Sequence, residues 1–250
     1  MTLLFDVGNT EIKLAVAKDK KILNKYRFKT KLNLSDYELY LSFYNIVKDL
    51  KIKHMVIASV VPEVTYILRE IAKKHLFVEP LVLESGTKTG LKIIADNPKE
   101  TGADLVACSV GASALYEKSL VIDLGTAIKY LYVKNNTLCG VIIAPGMEIS
   151  LAALTKNTAL LPKIDLKIPK KILGNDTVSC MQSGVLYGTA SQIDCMVERI
   201  KKEVKEDFEV IITGGFAELL LPILEVKVDY RPNLIFEGLL EILERNKQLI

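Results

Sequence analysis

The chain has 250 residues, half of them apolar, which is enough to bury one large core or two smaller ones. Its 33 basic and 30 acidic residues leave a net charge of +3, too little to indicate a nucleic-acid-binding surface or a membrane patch. No apolar run approaches the roughly 20 residues that span a bilayer, and Asp6 interrupts the apolar start too early for a secretory signal peptide. We therefore expect a cytoplasmic protein with no nucleic-acid and no membrane partner.

The cysteines and histidines offer no catalytic or metal-binding pattern. The four cysteines are scattered, without the spacing of a zinc site or of a disulfide framework. His54 and His75 have no Ser, Cys or carboxylate signature beside them, which argues against a His-based triad. The chemistry must therefore depend on other groups.

Strands and helices alternate along the first half of the chain. Periodicity predicts strands near residues 2–7, 11–18, 22–29, 54–61 and 79–85, and helices at 35–50, 62–74 and 101–116. This alternation is typical of an α/β sheet.

The second half begins like the first. The stretch "LVIDLGTAIKYLYVK" at 120–134 aligns with "LLFDVGNTEIKLAVAK" at 3–18 if one gap follows the glycine. Asp123 then matches Asp6, and Lys129 matches Lys13. Such a repeat indicates a duplication, so we predict two tightly apposed halves, residues 1–117 and 118–250.

Further elements follow the repeat. The pattern predicts a strand near 137–143, a turn at 144–147, helices at 148–156, 176–205 and 234–246, an irregular stretch at 161–173, and a strand at 208–215 that ends in two glycines.

Asp6 and Asp123 each end an apolar strand and precede a glycine turn. Ligands of open α/β sheets bind at such strand ends, and a glycine lets backbone N–H groups approach a phosphate. Mg²⁺ is the natural mediator between Asp6 and a phosphate, and Lys13 could neutralise phosphate charge. A plain hairpin turn explains one copy equally well, but two copies favour a nucleotide site.

Three other stretches have both a structural and a functional interpretation. Asp104 lies where a helix begins. It is either an acidic residue that the helix dipole favours at this position or a general base. The glycines of "ITGG" at 212–215 suit a helix-entry turn or a close approach to a nucleotide. Thr177 and Ser179 are suited to capping the long helix.

The order of the fragments resembles that of the type III pantothenate kinases, members of the sugar kinase, Hsp70 and actin superfamily. The matching stretches are "DVGNT" from residue 6, "ASVVP" from 58, "NP" from 97, "GADL" from 102, "DLGTA" from 123, "APG" from 144, "TALLP" from 158, "GNDT" from 174, "SGVLYG" from 183 and "TGG" from 213.

The resemblance implies a fold and an activity. The fold is a duplicated ribonuclease-H-like (actin-like ATPase) α/β fold, with two apposed halves whose mixed sheets are flanked by helices. The activity is ATP-dependent phosphorylation of the primary hydroxyl of pantothenate, the first step of coenzyme A biosynthesis. It also implies Mg²⁺, a monovalent cation (K⁺ or NH₄⁺) and a homodimer.

The resemblance assigns roles to individual residues. Asp104 is the base, Asp123 binds the monovalent cation, and Asp6 lies near Mg²⁺. Pantothenate is contacted by Gly102, Ala103, Asp104, Leu105 and Thr177. ATP is contacted by Asp6, Val7, Gly8, Asn9, Thr10, Glu11, Ile12, Lys13, Thr126, Gly214 and Gly215.

Three positions depart from the family pattern. Leu105 stands where the family has an arginine that holds the substrate, Ala95 replaces a tyrosine, and Lys129 replaces a threonine. Loss of a charge-assisted bond can cost about 1.5–3 kcal/mol. These departures leave two alternatives to an active pantothenate kinase: a non-catalytic regulatory relative that binds a nucleotide or pantothenate, and a kinase of another small hydroxylated substrate.

Overall fold

The computed structural model describes residues 1–248, except for the side chain of Lys99. The described residues form two compact units. The first comprises residues 1–117, 135–138 and 233 onward, and the second comprises residues 118–134 and 139–232.

In chain order the elements are β1 (Thr2–Val7), β2 (Glu11–Lys18), β3 (Lys21–Lys29), α1 (Asp36–Val47), β4 (His54–Ser59), α2 (Pro62–Ile71), β5 (Leu81–Val82), β6 (Lys92–Ile93), α3 (Ala103–Ser113), β7 (Lys118–Leu124), β8 (Ala127–Lys134), β9 (Thr137–Pro145), α4 (Met147–Lys156), α5 (Thr177–Val204), β10 (Glu209–Thr213), α6 (Ala217–Leu220), β11 (Asp229–Tyr230) and α7 (Leu234–Asn246). A π-helical segment at Ala72–Leu76 continues α2, and 3-10 turns lie at Pro98–Glu100 and Leu221–Ile223.

The sheet of the first unit has the strand order β3-β2-β1-β4-β5. β1 pairs antiparallel with β2 and parallel with β4, and β4 pairs parallel with β5, so the sheet is mixed. Short β6 pairs in this unit with Thr137 and Leu138, the first residues of β9. The described part of the second unit repeats the order, as β9-β8-β7-β10-β11. The two mixed sheets confirm the predicted fold class.

Helices cover both faces of the first sheet. Leu3, Phe5 and Val7 of β1 pack in a core with α1 and α2, whereas Leu4 of β1 packs in a second core with α3 and α7. Successive strand residues point to opposite faces, so burial of both faces explains why β1 is a continuous apolar run. In the second unit, α5 covers a core built around β7 and β10.

The C-terminal helix α7 packs in the first unit, against α3. A Cβ atom on Gly238 would lie 1.8 Å from the carbonyl oxygen of Ala107, and one on Gly111 would lie 2.6 Å from that of Leu234. The two glycines therefore allow the two backbones to touch. The main segment of the first unit ends at residue 117, and residues 233–248 also belong to that unit.

The predicted elements agree closely with the structure. β1 and β2 have the predicted bounds, and α7 does as well. The sequence did not reveal β6 and β11, because a strand of two residues shows no periodicity. Within residues 1–248, no helix combines the length and the apolar character needed to cross a membrane.

Candidate active site

The first site element is the turn between β1 and β2. Gly8 donates its N–H to the carbonyl oxygen of Glu11 (2.9 Å), and a Cβ on Gly8 would lie 3.3 Å from that oxygen. Asn9 and Thr10 form the exposed tip, whereas the side chains of Val7 and Ile12 are buried in the core. Asn9 and Thr10 can therefore present side chains to a ligand here, while Val7 and Ile12 can offer only backbone groups.

Asp6 and Lys13 lie opposite each other on β1 and β2 and form an ion pair. Lys13 Nζ is 2.9 Å from Asp6 Oδ2, and Asp6 is buried to all but 6% of its surface. A carboxylate in such a place needs a positive charge beside it. Asp6 and Lys13 thus form a charged pair beside the turn.

Thr30, just after β3, holds the turn in place. Its hydroxyl donates to the carbonyl oxygen of Gly8 (2.7 Å), and its N–H donates to that of Thr10 (3.0 Å). Sequence analysis did not single out Thr30, because nothing local distinguishes it from other threonines of the chain.

Val60 connects this turn to Asp104. The N–H of Val60 donates to the carbonyl oxygen of Val7 (3.0 Å). A Cβ on Gly102, the N-cap of α3, would lie 3.6 Å from Val60 Cγ1 and 2.5 Å from Asp104 Oδ1. Val60 therefore lies next to both the end of β1 and the start of α3.

A cavity of about 500 Å³ opens beside these residues, within the first unit. Gly102 and Ala103 line it, as does Val60. Its polar lining comes from residues that sequence analysis missed, namely Ser59, Glu84, Ser85, Thr87, Thr89, Glu100 and Thr101. A signal was present, since "ESGTKTG" at 84–90 is a Ser-, Thr- and Gly-rich loop that follows a strand.

Hydrogen bonds of Glu84 hold this loop in place. Its carboxylate accepts a hydrogen bond from Arg69 of α2 (2.7 Å), and its N–H donates to the hydroxyl of Thr87 (3.1 Å). The Thr87 hydroxyl in turn donates to the carbonyl oxygen of Val82 (3.1 Å). The cavity wall is therefore anchored to both α2 and β5.

In the second unit three separated motifs meet at the end of β7. The N–H of Gly146 donates to the carbonyl oxygen of Thr126 (3.1 Å), and a Cβ on Gly146 would lie 2.3 Å from the same oxygen. Gly214 has a φ of +97°, and its Cβ would lie 2.5 Å from Leu124 N and O. "DLGTA", "APG" and "TGG" thus form one cluster, in which Thr126 and Gly215 are exposed.

Asp123 and Lys129 form the counterpart of Asp6 and Lys13. They lie opposite each other on β7 and β8, with Lys129 Nζ 2.8 Å from Asp123 Oδ2. A monovalent cation at Asp123, which the family resemblance implies, would have to share this carboxylate with the ammonium group of Lys129.

Thr177 is the first residue of α5 and is exposed, but it does not cap the helix. Asp176 is the N-cap: its carboxylate accepts hydrogen bonds from the hydroxyl (2.7 Å) and the N–H (3.0 Å) of Ser179. The capping interpretation is therefore correct for Ser179 and wrong for Thr177.

Among residues 1–248, no three His, Cys, Asp or Glu side chains come together in an arrangement that could hold a metal ion. Mg²⁺, however, is commonly bound through one carboxylate together with substrate phosphates, and it retains waters. The carboxylate of Asp6, buried beside an exposed turn and paired with Lys13, suits an indirect contact with such an ion through its waters.

Comparison with known proteins identifies the family. The family model described as type III pantothenate kinase matches residues 2–199. The chain belongs to the type III pantothenate kinase family. Among curated members, the type III pantothenate kinase of Acholeplasma laidlawii is 45% identical over 246 residues, covering 98% of this chain and 99% of that one. That of Citrifermentans bemidjiense is 35% identical over 254 residues, covering 99% and 100%.

Membership of the pantothenate kinase family makes this chain a kinase, and structural comparison agrees on the fold. A solved structure from Campylobacter jejuni, described as a conserved transcriptional activator of the Baf family, superposes with a TM-score of 0.63 at 19% identity. It covers 98% of this chain and 99% of its own. At that identity the likeness concerns the fold alone. Leu105 and Ala95, two of the three departures from the family pattern, lie on either side of Gly102 and Asp104 in the sequence.

Proposed function

We propose that this protein transfers the γ-phosphoryl group of ATP to the primary hydroxyl of pantothenate, which yields 4′-phosphopantothenate in the first step of coenzyme A biosynthesis. The observation that carries the proposal is the position of Asp104, directly after Gly102 and Ala103, which line a cavity together with Val60, whose N–H donates to Val7 at the end of β1. We also propose a cytoplasmic location, because ATP is the phosphoryl donor.

The turn at residues 8–10 receives the phosphates of ATP. Its tip is exposed, and its base is held by Thr30 and Glu11. Lys13 on β2 would neutralise charge on the phosphates, and Asp6, which stays paired with Lys13, would hold Mg²⁺ indirectly, through water ligands of the ion. When bound, Mg²⁺ would neutralise charge on the phosphate oxygens, which is the main requirement of phosphoryl transfer.

Asp104 serves as the general base. Its carboxylate accepts the proton of the substrate hydroxyl while that oxygen bonds to the γ-phosphorus and the bond to ADP breaks. Pantothenate occupies the cavity next to Gly102 and Ala103, which the polar loop at 84–89 also lines. Because Leu105 offers no charge, we expect the hydroxyls and backbone groups of that loop to hold the polar parts of the substrate.

In the second unit, the exposed Thr126 and Gly215 and the adjacent Gly214 contact the nucleotide. The φ of +97° at Gly214 and its contact with Leu124 leave no room for a side chain. Backbone can therefore approach a ligand closely at this turn.

We propose a homodimer, formed through an apolar surface of the second unit. Large apolar side chains are exposed along one stretch of chain, namely Val141, Ile143, Ile149, Leu154, Leu160, Ile172, Leu173 and Val178. Exposed apolar side chains mark an interaction surface where they form one contiguous patch. Thr177 adjoins Val178, so dimer formation would enclose it, consistent with a role in substrate binding.

An assay that couples ADP formation to a spectroscopic readout, with pantothenate and Mg²⁺, tests the activity. We expect turnover by the wild type and a loss of about 10²- to 10⁴-fold in kcat for Asp104→Asn. Asp49→Asn, which removes an exposed acid between α1 and β4, should leave kcat unchanged.

Three results would separate the alternatives. Calorimetric binding of ATP or pantothenate without turnover would favour a regulatory relative. Turnover only with another hydroxylated compound in a substrate panel would favour a different kinase. Full activity of Asp104→Asn would remove Asp104 from the base role.

A further inference from the structure

The ion pair of Asp123 and Lys129 lies in a defined position in the second unit. Asp123 is the residue before the end of β7, and Lys129 is directly opposite on β8. Residues directly opposite in an antiparallel pair project to the same face of the sheet. The pair is therefore a product of strand register and does not require a rare side-chain conformation.

The lysine of this pair is less exposed to solvent than the lysine of the Asp6–Lys13 pair in the first unit. The side chains of Lys129 and Asp123 are 17% and 15% exposed, whereas Lys13 is 31% exposed. A carboxylate largely removed from water is costly unless a cation accompanies it. Lys129 supplies that cation by covalent attachment, so its presence does not depend on the ions in solution.

The pair adjoins the Gly125–Thr126 turn. The N–H of Gly125 donates to the carbonyl oxygen of Ala127 (3.2 Å), and Thr126 accepts from Gly146 (3.1 Å). Thr126 is a proposed nucleotide contact. An uncompensated carboxylate at Asp123 would repel the phosphates of ATP, so its charge must be neutralised for the turn to work.

A second cation at the same carboxylate would be repelled by the first. An ammonium group has about the size and the charge of a potassium ion. It interacts with surrounding oxygens by donating hydrogen bonds, whereas potassium is coordinated by them. Lys129 already balances the negative charge of Asp123. Its Nζ atom, 2.8 Å from Oδ2, also occupies the position that an added monovalent cation would take beside that oxygen.

We propose that the ammonium group of Lys129 takes the place of a monovalent cation at Asp123, so that nucleotide use by this protein is independent of potassium. The inference rests on the proposed kinase function for its activity readout. Lys129 is a positioning residue in this account, since it acts on ATP through Asp123 and the neighbouring turn.

Cation binding tests the proposal without reference to catalysis. Thallium(I) serves as the probe for a potassium site, followed by calorimetry, and melting temperatures are compared in potassium and choline chloride at equal ionic strength. We expect no thallium binding by the wild type and equal melting temperatures in the two salts. Thallium binding by the wild type that Asp123→Asn abolishes would overturn the proposal.

Lys129→Thr restores the space of the ammonium group and should create a cation site. We expect this variant to bind thallium and to melt at a higher temperature in potassium than in choline, because a ligand of the folded state stabilises it. The double variant Lys129→Thr/Asp123→Asn should lose that binding. Lys134→Thr, at the other end of β8 where Lys134 pairs with Glu206, is the matched control and should behave as the wild type does.

Activity supplies the second readout. The wild type should be equally active in both salts, within about twofold, and Lys129→Thr should lose about tenfold in choline and recover in potassium. A wild type that potassium activates about tenfold would overturn the proposal, as would a Lys129→Thr variant whose KM for ATP rises without rescue by potassium. If no variant phosphorylates pantothenate in either salt, the proposed function fails, while thallium binding and melting still decide the role of Lys129.

Discussion

The carboxylate of Asp104 occupies space that only a glycine leaves at position 102. A Cβ atom on Gly102 would lie 2.5 Å from Asp104 Oδ1, closer than real Cβ contacts come. The absence of a side chain at Gly102 therefore allows the carboxylate of Asp104, the predicted base, to take its present orientation.

Gly102→Ala should lower kcat with little effect on stability. The new methyl group must displace the carboxylate of Asp104, and a misplacement of about 1 Å can cost a rate of about 100-fold. Because a flexible side chain gives way, the free energy of unfolding should change by less than about 1 kcal/mol. Steady-state kinetics and urea unfolding measure the two effects. A variant with wild-type kcat would show that the position of Asp104 is not critical.

Thr30→Val should weaken the use of ATP. The substitution removes the hydrogen bond from the Thr30 hydroxyl to Gly8 O (2.7 Å) but keeps the backbone bond to Thr10. A lost hydrogen bond costs about 0.5–1.5 kcal/mol, so the KM for ATP should rise about 2- to 10-fold. Thr30→Ser keeps the hydroxyl and should keep the KM. Equal KM values for the valine and serine variants would contradict a role of this hydroxyl in holding the turn.

Gly238→Ala should destabilise the protein. Its Cβ would lie 1.8 Å from the carbonyl oxygen of Ala107, so α7 must move away from α3. Overpacking of this kind costs about 1–3 kcal/mol, which chemical denaturation would detect as a lower midpoint. Gly188→Ala is the matched control, because Gly188 lies within α5 with open space around it, and alanine there should stabilise by up to about 1 kcal/mol.

The N-cap of α5 predicts a pH dependence. Hydrogen bonds from the hydroxyl and the backbone N–H of Ser179 hold the pKa of Asp176 below its ordinary value of 3.8. The folded state therefore favours the charged carboxylate. Its contribution to stability is fully present above the ordinary pKa, and it is lost as the pH falls through the lower pKa of the folded state.

Asp176→Asn keeps a capping oxygen but cannot titrate. The melting temperature of the wild type should exceed that of the variant by a constant amount near neutral pH. This difference should shrink once the pH falls below 3.8. Circular dichroism melts across this range measure it, and a difference that stays constant down to the lowest pH at which both proteins fold would contradict the assignment.

Local patterns were sufficient for most elements and for part of the site. The alternating and continuous apolar runs predicted β1, β2 and α7, and the repeat of Asp, Gly and Lys placed the two hairpins. The polar loop at 84–89 was missed because its role depends on lining the same cavity as Gly102 and Ala103, which are distant from it in sequence. Residues distant along the chain leave no common pattern in the sequence.

By itself, the sequence determined the strands and helices, the duplication and the family, because hydrophobic period, turn residues and motif order are properties of neighbouring residues. The tertiary structure alone decided three features: α7 packs against α3, "APG" and "TGG" join the turn after Asp123, and Lys129 meets Asp123 at 2.8 Å. Each depends on backbone approach and strand register between separate elements. Those quantities follow from how whole elements pack, so no single stretch of chain contains them.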